Sequence, residues 1–366
     1  MSRVTLPYLV CVCCIINGCS DDGGLIVDGA LPETGMDRGS ETVAPEASAP
    51  DRGPAADASS PCNPALSLQP LTLDPTYCVT HRFEVPAKTD AFTVRGDGVY
   101  LFSMTGKLGQ VQQATIDPQS GVPGSYGTLF SFTSTRTGTL FPGEYVALSP
   151  GAFVAVGYTE KDTLDGEILW GDKGIKTPKA VDKATGNLDV VFLDDTTMLV
   201  NGTGVGAAQD GQGVYLVQEG KSPRQLIKDM GIFSGFMALG PQVLFAGGYF
   251  ASGNRVYGFT LAEVQAAITA GGTLSSADGD LVAEGNTSDI TALDGDLVLT
   301  TLDPSYQFKT VQRLPVTVSG STVTVGQGVD LVTGSGAAVT RLAATGKRLA
   351  LLVQGSKPEL VLLEQK

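Results

Sequence analysis

Apolar residues in this chain come in short runs broken by tight turns of Gly, Asp and Pro, and one unit recurs: a strand, a turn, a second strand. It reads as Phe92-Thr93-Val94, a turn over Arg95 to Gly98, then Val99-Tyr100-Leu101-Phe102. It returns as Val146-Ala147-Leu148 with Phe153-Val154-Ala155-Val156, and as Val191-Phe192-Leu193 with Met198-Leu199-Val200. Met237-Ala238-Leu239 with Val243-Leu244-Phe245 is the fourth copy. Thr291-Ala292-Leu293 with Leu297-Val298-Leu299, and Thr340-Arg341-Leu342 with Leu349-Ala350-Leu351-Leu352, are the fifth and sixth. Anchored at Val94, Leu148, Leu193, Leu239, Leu293 and Leu342, the spacings are 54, 45, 46, 54 and 49 residues. A third strand follows each pair: Val111-Gln112-Gln113, Glu167-Ile168-Leu169-Trp170, Val214 to Val217, Val256 to Phe259, Val311 to Leu314 and Glu359 to Leu362. β-Branched and aromatic residues dominate these strands, and the turns carry the Gly and Asp that positive φ favours. Leu261 to Ile268 is the one segment that reads as a helix.

Repeats of roughly 40–50 residues built from short strands resemble β-propeller blades, each a four-stranded antiparallel sheet. The ends agree with that resemblance. The sixth repeat runs out of chain after its third strand, at Leu363, while a spare strand, His81-Arg82-Phe83-Glu84-Val85, precedes the first repeat. The expected fold is therefore all-β, a propeller of six blades closed by the N-terminal strand. Seven blades, with a divergent one hidden in the long intervals, is the alternative, and a different β fold is the third possibility.

The first nineteen residues read differently. Arg3 precedes an apolar stretch from Leu6 to Ile16, and Ile16-Asn17-Gly18-Cys19 follows. Roughly a dozen apolar residues cannot cross a ~30 Å hydrocarbon core, so this is a signal segment rather than a membrane helix. The run ending in Cys19 resembles the lipobox of bacterial lipoproteins, which implies removal of residues 1–18 and acylation of Cys19. With Ser20 next, and Asp21 and Asp22 after it, the resemblance implies an outer-membrane lipoprotein of the cell envelope, facing either the periplasm or the cell surface. An ordinary cleaved signal peptide with a chance cysteine is the other reading. Residues 20–61 hold five prolines, six glycines, nine carboxylates, two arginines and no aromatic residue. Such a segment buries too little apolar surface to offset the entropy of ordering, so 19–61 is read as the lipidated cysteine and a disordered acidic tether, spanning roughly 35 Å. Residues 62–366 form the propeller domain.

Cys11, Cys13 and Cys14 leave with the leader, so Cys62 and Cys78 remain as a pair. In an oxidising compartment they are expected to form a disulfide, worth about 3 kcal/mol in the chain-entropy view. The chain's net charge is −14, of which the tether carries −7 and the domain −8, against +1 in the leader. That balance argues against nucleic acid or an anionic lipid surface as partner.

No chemistry declares itself. There is no Gly-x-Ser-x-Gly elbow, and the single histidine, His81, falls on the expected closing strand. Gly202, Gly204 and Gly206 lack the following helix of a phosphate cradle, while Asp278-Gly279-Asp280 and Asp294-Gly295-Asp296 read as turns rather than calcium loops. No cofactor or metal is expected, and no catalytic residue is assigned. Loops between second and third strands, which face the channel mouth of a propeller, carry Tyr158, Tyr249, Phe250, Tyr306 and Phe308. These are the candidate ligand-face residues, unless the rings pack between blades; Trp170 is assigned to the core. The expected function is a monomeric, membrane-anchored binding or scaffold module for an envelope protein or glycan. The alternative is a propeller lyase or hydrolase acting on an exported substrate, which four or more carboxylates and arginines converging at the channel mouth would mark.

Overall fold

The computed structural model describes residues 62–366 except 118–119, 136–144, 152, 160–164, 173–178, 186–188, 207, 209, 251–252 and 356. The leader, Cys19 and the tether lie outside the described residues. Six small sheets, antiparallel apart from the short strand Leu274–Ser275 that adds in parallel to the third, stand in a ring, each beginning with an inner strand at the edge of its sheet. These inner strands are Ala91–Arg95, Tyr145–Leu148, Asp189–Phe192, Ile232–Leu239, Thr287–Leu293 and Ala338–Thr345. Each touches the inner strand of the next blade, and the sixth touches the first, so the ring is closed. This is a six-bladed β-propeller, and every anchor residue read from the sequence lies in or directly beside an inner strand.

The hairpins follow turn chemistry. In blade five Asp294 and Gly295 join Leu293 to Asp296 with φ of 51° and 90°. Both residues sit in the left-handed region, as a two-residue hairpin loop with the strands' own twist requires. Asp296 is spent locally: it pairs with Arg313 at 2.6 Å and accepts the Val316 amide at 2.9 Å. Asp278 likewise accepts the Ser275 amide at 2.7 Å, and Asp280 that of Val323 at 2.6 Å.

The core is divided among the blade junctions. Six buried apolar clusters, one at each junction, are built by facing sheets. Phe102 and Phe130 meet Val154 and Val156 between blades one and two, and Leu199 and Leu216 meet Leu244 and Phe259 between blades three and four. Strands buried on both faces explain the near-continuous apolar runs of the second and third strands. Trp170 is in the core as expected, edge-on to Phe153 and Phe192 at 5.3 and 5.8 Å.

The helix Leu261–Ala270 sits between the third and outer strands of blade four. Thr260 and Glu263 form its capping box, and Gly271 ends it at φ 67°. An unanticipated ribbon, Val316–Ser319 with Thr322–Val325, is inserted in blade five and leans on blade four through Val323.

Closure matches the expectation and extends it. Tyr77–Glu84 pairs antiparallel with Glu359–Gln365 as the fourth strand of blade six. The strand starts four residues before the predicted His81, because Tyr77, Cys78 and Val79 are buried against the end of the last strand. Upstream, Thr72–Leu73 pairs with the outer strand of blade five, Val329–Thr333, so the lead-in spans two blades. The Cys62–Cys78 disulfide is present, with the two Cα atoms 5.6 Å apart, and secures that lead-in to the closing strand.

Candidate functional site: the channel and its mouth

An inner strand has a partner on one side only, so its other edge faces the central channel. The channel encloses about 370 Å3 and is lined by small residues such as Ala147, Ala238 and Ala292 together with a few polar ones. Four of the latter come from equivalent strand positions in different blades: Tyr145, Asp189, Asp289 and Arg341. Their neighbours on the second strands are Gly157, Asn201, Thr300 and Leu352.

The two carboxyls do a strand's work. Asp189 accepts the amide of Met237 on the inner strand of blade four, and that of Val190 at 2.8 Å. Asp289 accepts the amide of Leu342, on the inner strand of blade six, at 2.6 Å. Those amides lie on edges that have no neighbouring strand, and a buried unpaired N–H is costly. Each aspartate thus fastens its blade to the next. Burial pushes the Asp189 carboxyl well above the usual carboxylate range, with the nearby Asp289 adding to the shift. Burial pushes Asp289 up to about 6, against the pull of Arg341 and two amides. The Arg341 guanidinium lies 5.4 Å from the centre of the Tyr145 ring, and the Tyr145 hydroxyl donates to the Gly235 carbonyl at 3.0 Å. Beside Asp189, the buried Asn201 donates to the Gly247 carbonyl at 2.9 Å, in space left by Gly235, where a Cβ would come within 2.6 Å.

Other charged groups around the ring serve as ties. Arg95 donates to the Leu148 carbonyl of blade two at 3.2 Å, and Asp195 of blade three accepts the Gly151 amide at 2.7 Å. Arg348 pairs with Glu364 at 2.8 Å and reaches the Gly96 carbonyl of blade one at 3.3 Å. Arg95 stands at the far end of its inner strand from the mouth, so among the described residues two carboxyls and one arginine gather at the level of the four residues.

The aromatic candidates divide. Tyr158 is buried: its strand, Phe153–Thr159, runs beyond the predicted Val156, and alternation turns the ring toward blade one. There it stacks on Phe132 at 5.5 Å, while its hydroxyl donates to Glu167 at 2.5 Å. That ring is not on the ligand face. Tyr249 and Phe250 end the strand Val243–Phe250, with Tyr249 half-buried. Phe308 starts Phe308–Leu314 and packs against the cluster between blades five and six. Tyr306 alone of the four described rings is exposed, at 63 %. His81 is buried on the closing strand with Nδ1 3.0 Å from the Thr80 hydroxyl, and desolvation lowers its pKa.

Tyr145, Asp189, Asp289 and Arg341 were not singled out from the sequence. A signal for two of them exists: Asp189-Val190-Val191-Phe192-Leu193-Asp194 and Asp289-Ile290-Thr291-Ala292-Leu293-Asp294 share an aspartate four residues before the anchor. Asp90 holds the same place before Val94, where it accepts the Met104 amide at 2.7 Å.

No protein-family model and no curated protein matches the chain. Among solved structures it is similar to a glucose dehydrogenase, at 13 % identity and a TM-score of 0.53, over 79 % of this chain and 99 % of that one. It is also similar to the holo form of the PQQ domain of a pyranose dehydrogenase from Coprinopsis cinerea, at 10 % identity and a TM-score of 0.51, over 84 % and 99 % of the two chains. At these identities the likeness is one of fold, and the chain is a β-propeller.

Proposed function

We propose that the protein is a lipid-anchored propeller of the outer membrane that binds an envelope protein or glycan on the face around the channel mouth, without catalysis. The observation that carries this reading is Tyr306. Its backbone is left-handed, at φ 60°, where a bulky residue is uncommon and strained. The turn is built to hold it there: Asp303 accepts the Ser305 and Gln307 amides at 2.7 and 3.0 Å, and its carbonyl accepts the Tyr306 amide at 2.9 Å. Asn286 braces the same carbonyl at 3.2 Å. A large ring kept outward on a rigid turn loses little entropy on binding, which is what an interface anchor needs. Among the described residues, the two carboxyls at the channel level, Asp189 and Asp289, each already fasten the next blade through an amide.

Capture of envelope-extract components on immobilised protein tests the reading. Tyr306→Ala should reduce recovery of the bound partner about tenfold or more, while melting like the wild type. Equal recovery by both proteins removes the face as the binding site. The anchor rests on Ile16-Asn17-Gly18-Cys19 and is tested separately. An alkyne fatty acid fed to the producing cells should label the wild type and not Cys19→Ser, and label on the mutant returns the leader to an ordinary signal peptide.

A further inference from the structure

We propose that the channel is a second binding site, which takes one small, neutral, polyhydroxylated molecule of monosaccharide size at the level of Tyr145, Asp189, Asp289 and Arg341. Three observations meet there. The first is space. A cavity of about 370 Å3 suits a single small molecule and is too narrow for a folded partner. Ala147 and Ala292 leave that space open, and neither belongs to the polar level.

The second is the chemistry of the wall. Carboxyl, guanidinium, phenol and threonine groups line it together with the unpartnered edges of the inner strands. Strand edges offer donors and acceptors in alternation. A carboxylate oxygen that already accepts one amide has a second lone pair, and a guanidinium carries five N–H donors. Hydroxyl groups, which both donate and accept, match such a wall better than an apolar molecule, which would strand its polar groups.

The third is charge. Arg341 contributes one positive charge, and Asp289, with a pKa of about 6, contributes one negative charge near neutral pH. Burial disfavours the charged form of Asp189. Arg95 lines the other end of the cavity and donates to the Leu148, Pro150 and Gly151 carbonyls. At the polar level Arg341 and Asp289 offset each other, so an ionic ligand there would lose its water without finding a counter-charge, whereas a neutral polyol meets no such penalty. This site is separate from the Tyr306 face, and either can fail alone.

Titration calorimetry with D-glucose and myo-inositol, set against their charged counterparts gluconate and glucosamine, decides the matter. Saturable binding of a neutral polyol is expected, with either charged analogue at least about tenfold weaker. Ala147→Phe, which fills the channel, should weaken polyol binding about tenfold or more. Thr291→Val, a milder change at the cavity wall, should weaken it severalfold and locates the site should the larger substitution impair folding. Tyr306→Ala should leave the polyol affinity unchanged while losing the face partner. No saturable binding of either polyol, tighter binding of gluconate or glucosamine, or wild-type affinity in a correctly folded Ala147→Phe protein overturns the proposal.

Discussion

Asp289 shows how one side chain can set the pH response of the ring. Its pKa rises from 3.8 in the unfolded chain to about 6 in the fold. Between those values the folded protein holds a proton that the unfolded chain has released. Stability from this group is therefore complete below pH 3.8 and lost as pH rises through about 6, a swing of about 3 kcal/mol. Asn at this position still offers a carbonyl oxygen to the Leu342 amide but cannot titrate. Melting curves of wild type and Asp289→Asn at pH 4, 5, 6 and 7 should show the wild type losing ground to the variant as pH rises. Parallel curves would refute the assignment. His81 pulls the other way: its pKa is lowered by burial, so its contribution is present above pH 6.5 and lost as pH falls. The comparison between the two proteins cancels that term.

At the scale of elements, the closing strand decides whether the ring holds. Tyr77–Glu84 covers the outer edge of Glu359–Gln365, whose Val361 and Leu363 feed one junction cluster and Leu360 and Leu362 the next. Arg82 locks the pairing, with Glu359 at 2.7 Å and the Ser67 carbonyl of the lead-in at 2.6 Å. Arg313 of blade five reaches the Tyr77 hydroxyl at 2.5 Å. A chain beginning at Lys88 loses all of this, along with the disulfide, and exposes a bare apolar edge prone to association. It should melt well below the wild type and elute as aggregate in size-exclusion chromatography. A chain beginning at Ser60 keeps every described contact and should match the full-length chain. A monomeric Lys88 chain with an unchanged melting temperature would show that the strand does not close the ring.

For the whole molecule, legibility tracked burial. The inner, second and third strands press on neighbouring blades, so their apolar runs were plain, and Leu342 marked the sixth blade as clearly as Val94 marked the first. Outer strands such as Asp280–Glu284, with only Val282 buried, sit at the rim and carry too little apolar signal to be found. The ribbon Val316–Val325 was missed for the same reason, since it packs chiefly through Val323. The closing strand was legible because a repeat lacking its fourth strand and a spare strand at the other end of the chain imply each other. Tyr158 was misplaced because the end of its strand depends on pairing with Asp165–Asp172, which local pattern does not report. Local alternation and turn chemistry thus determined the repeat and pointed to six blades and to the mode of closure, because each strand's burial is written in its own residues, while the ring itself decided six against seven. The channel level of Tyr145, Asp189, Asp289 and Arg341 was decided only by tertiary structure. Its members lie in four different repeats, and closure of the ring is what brings their strand starts to one point.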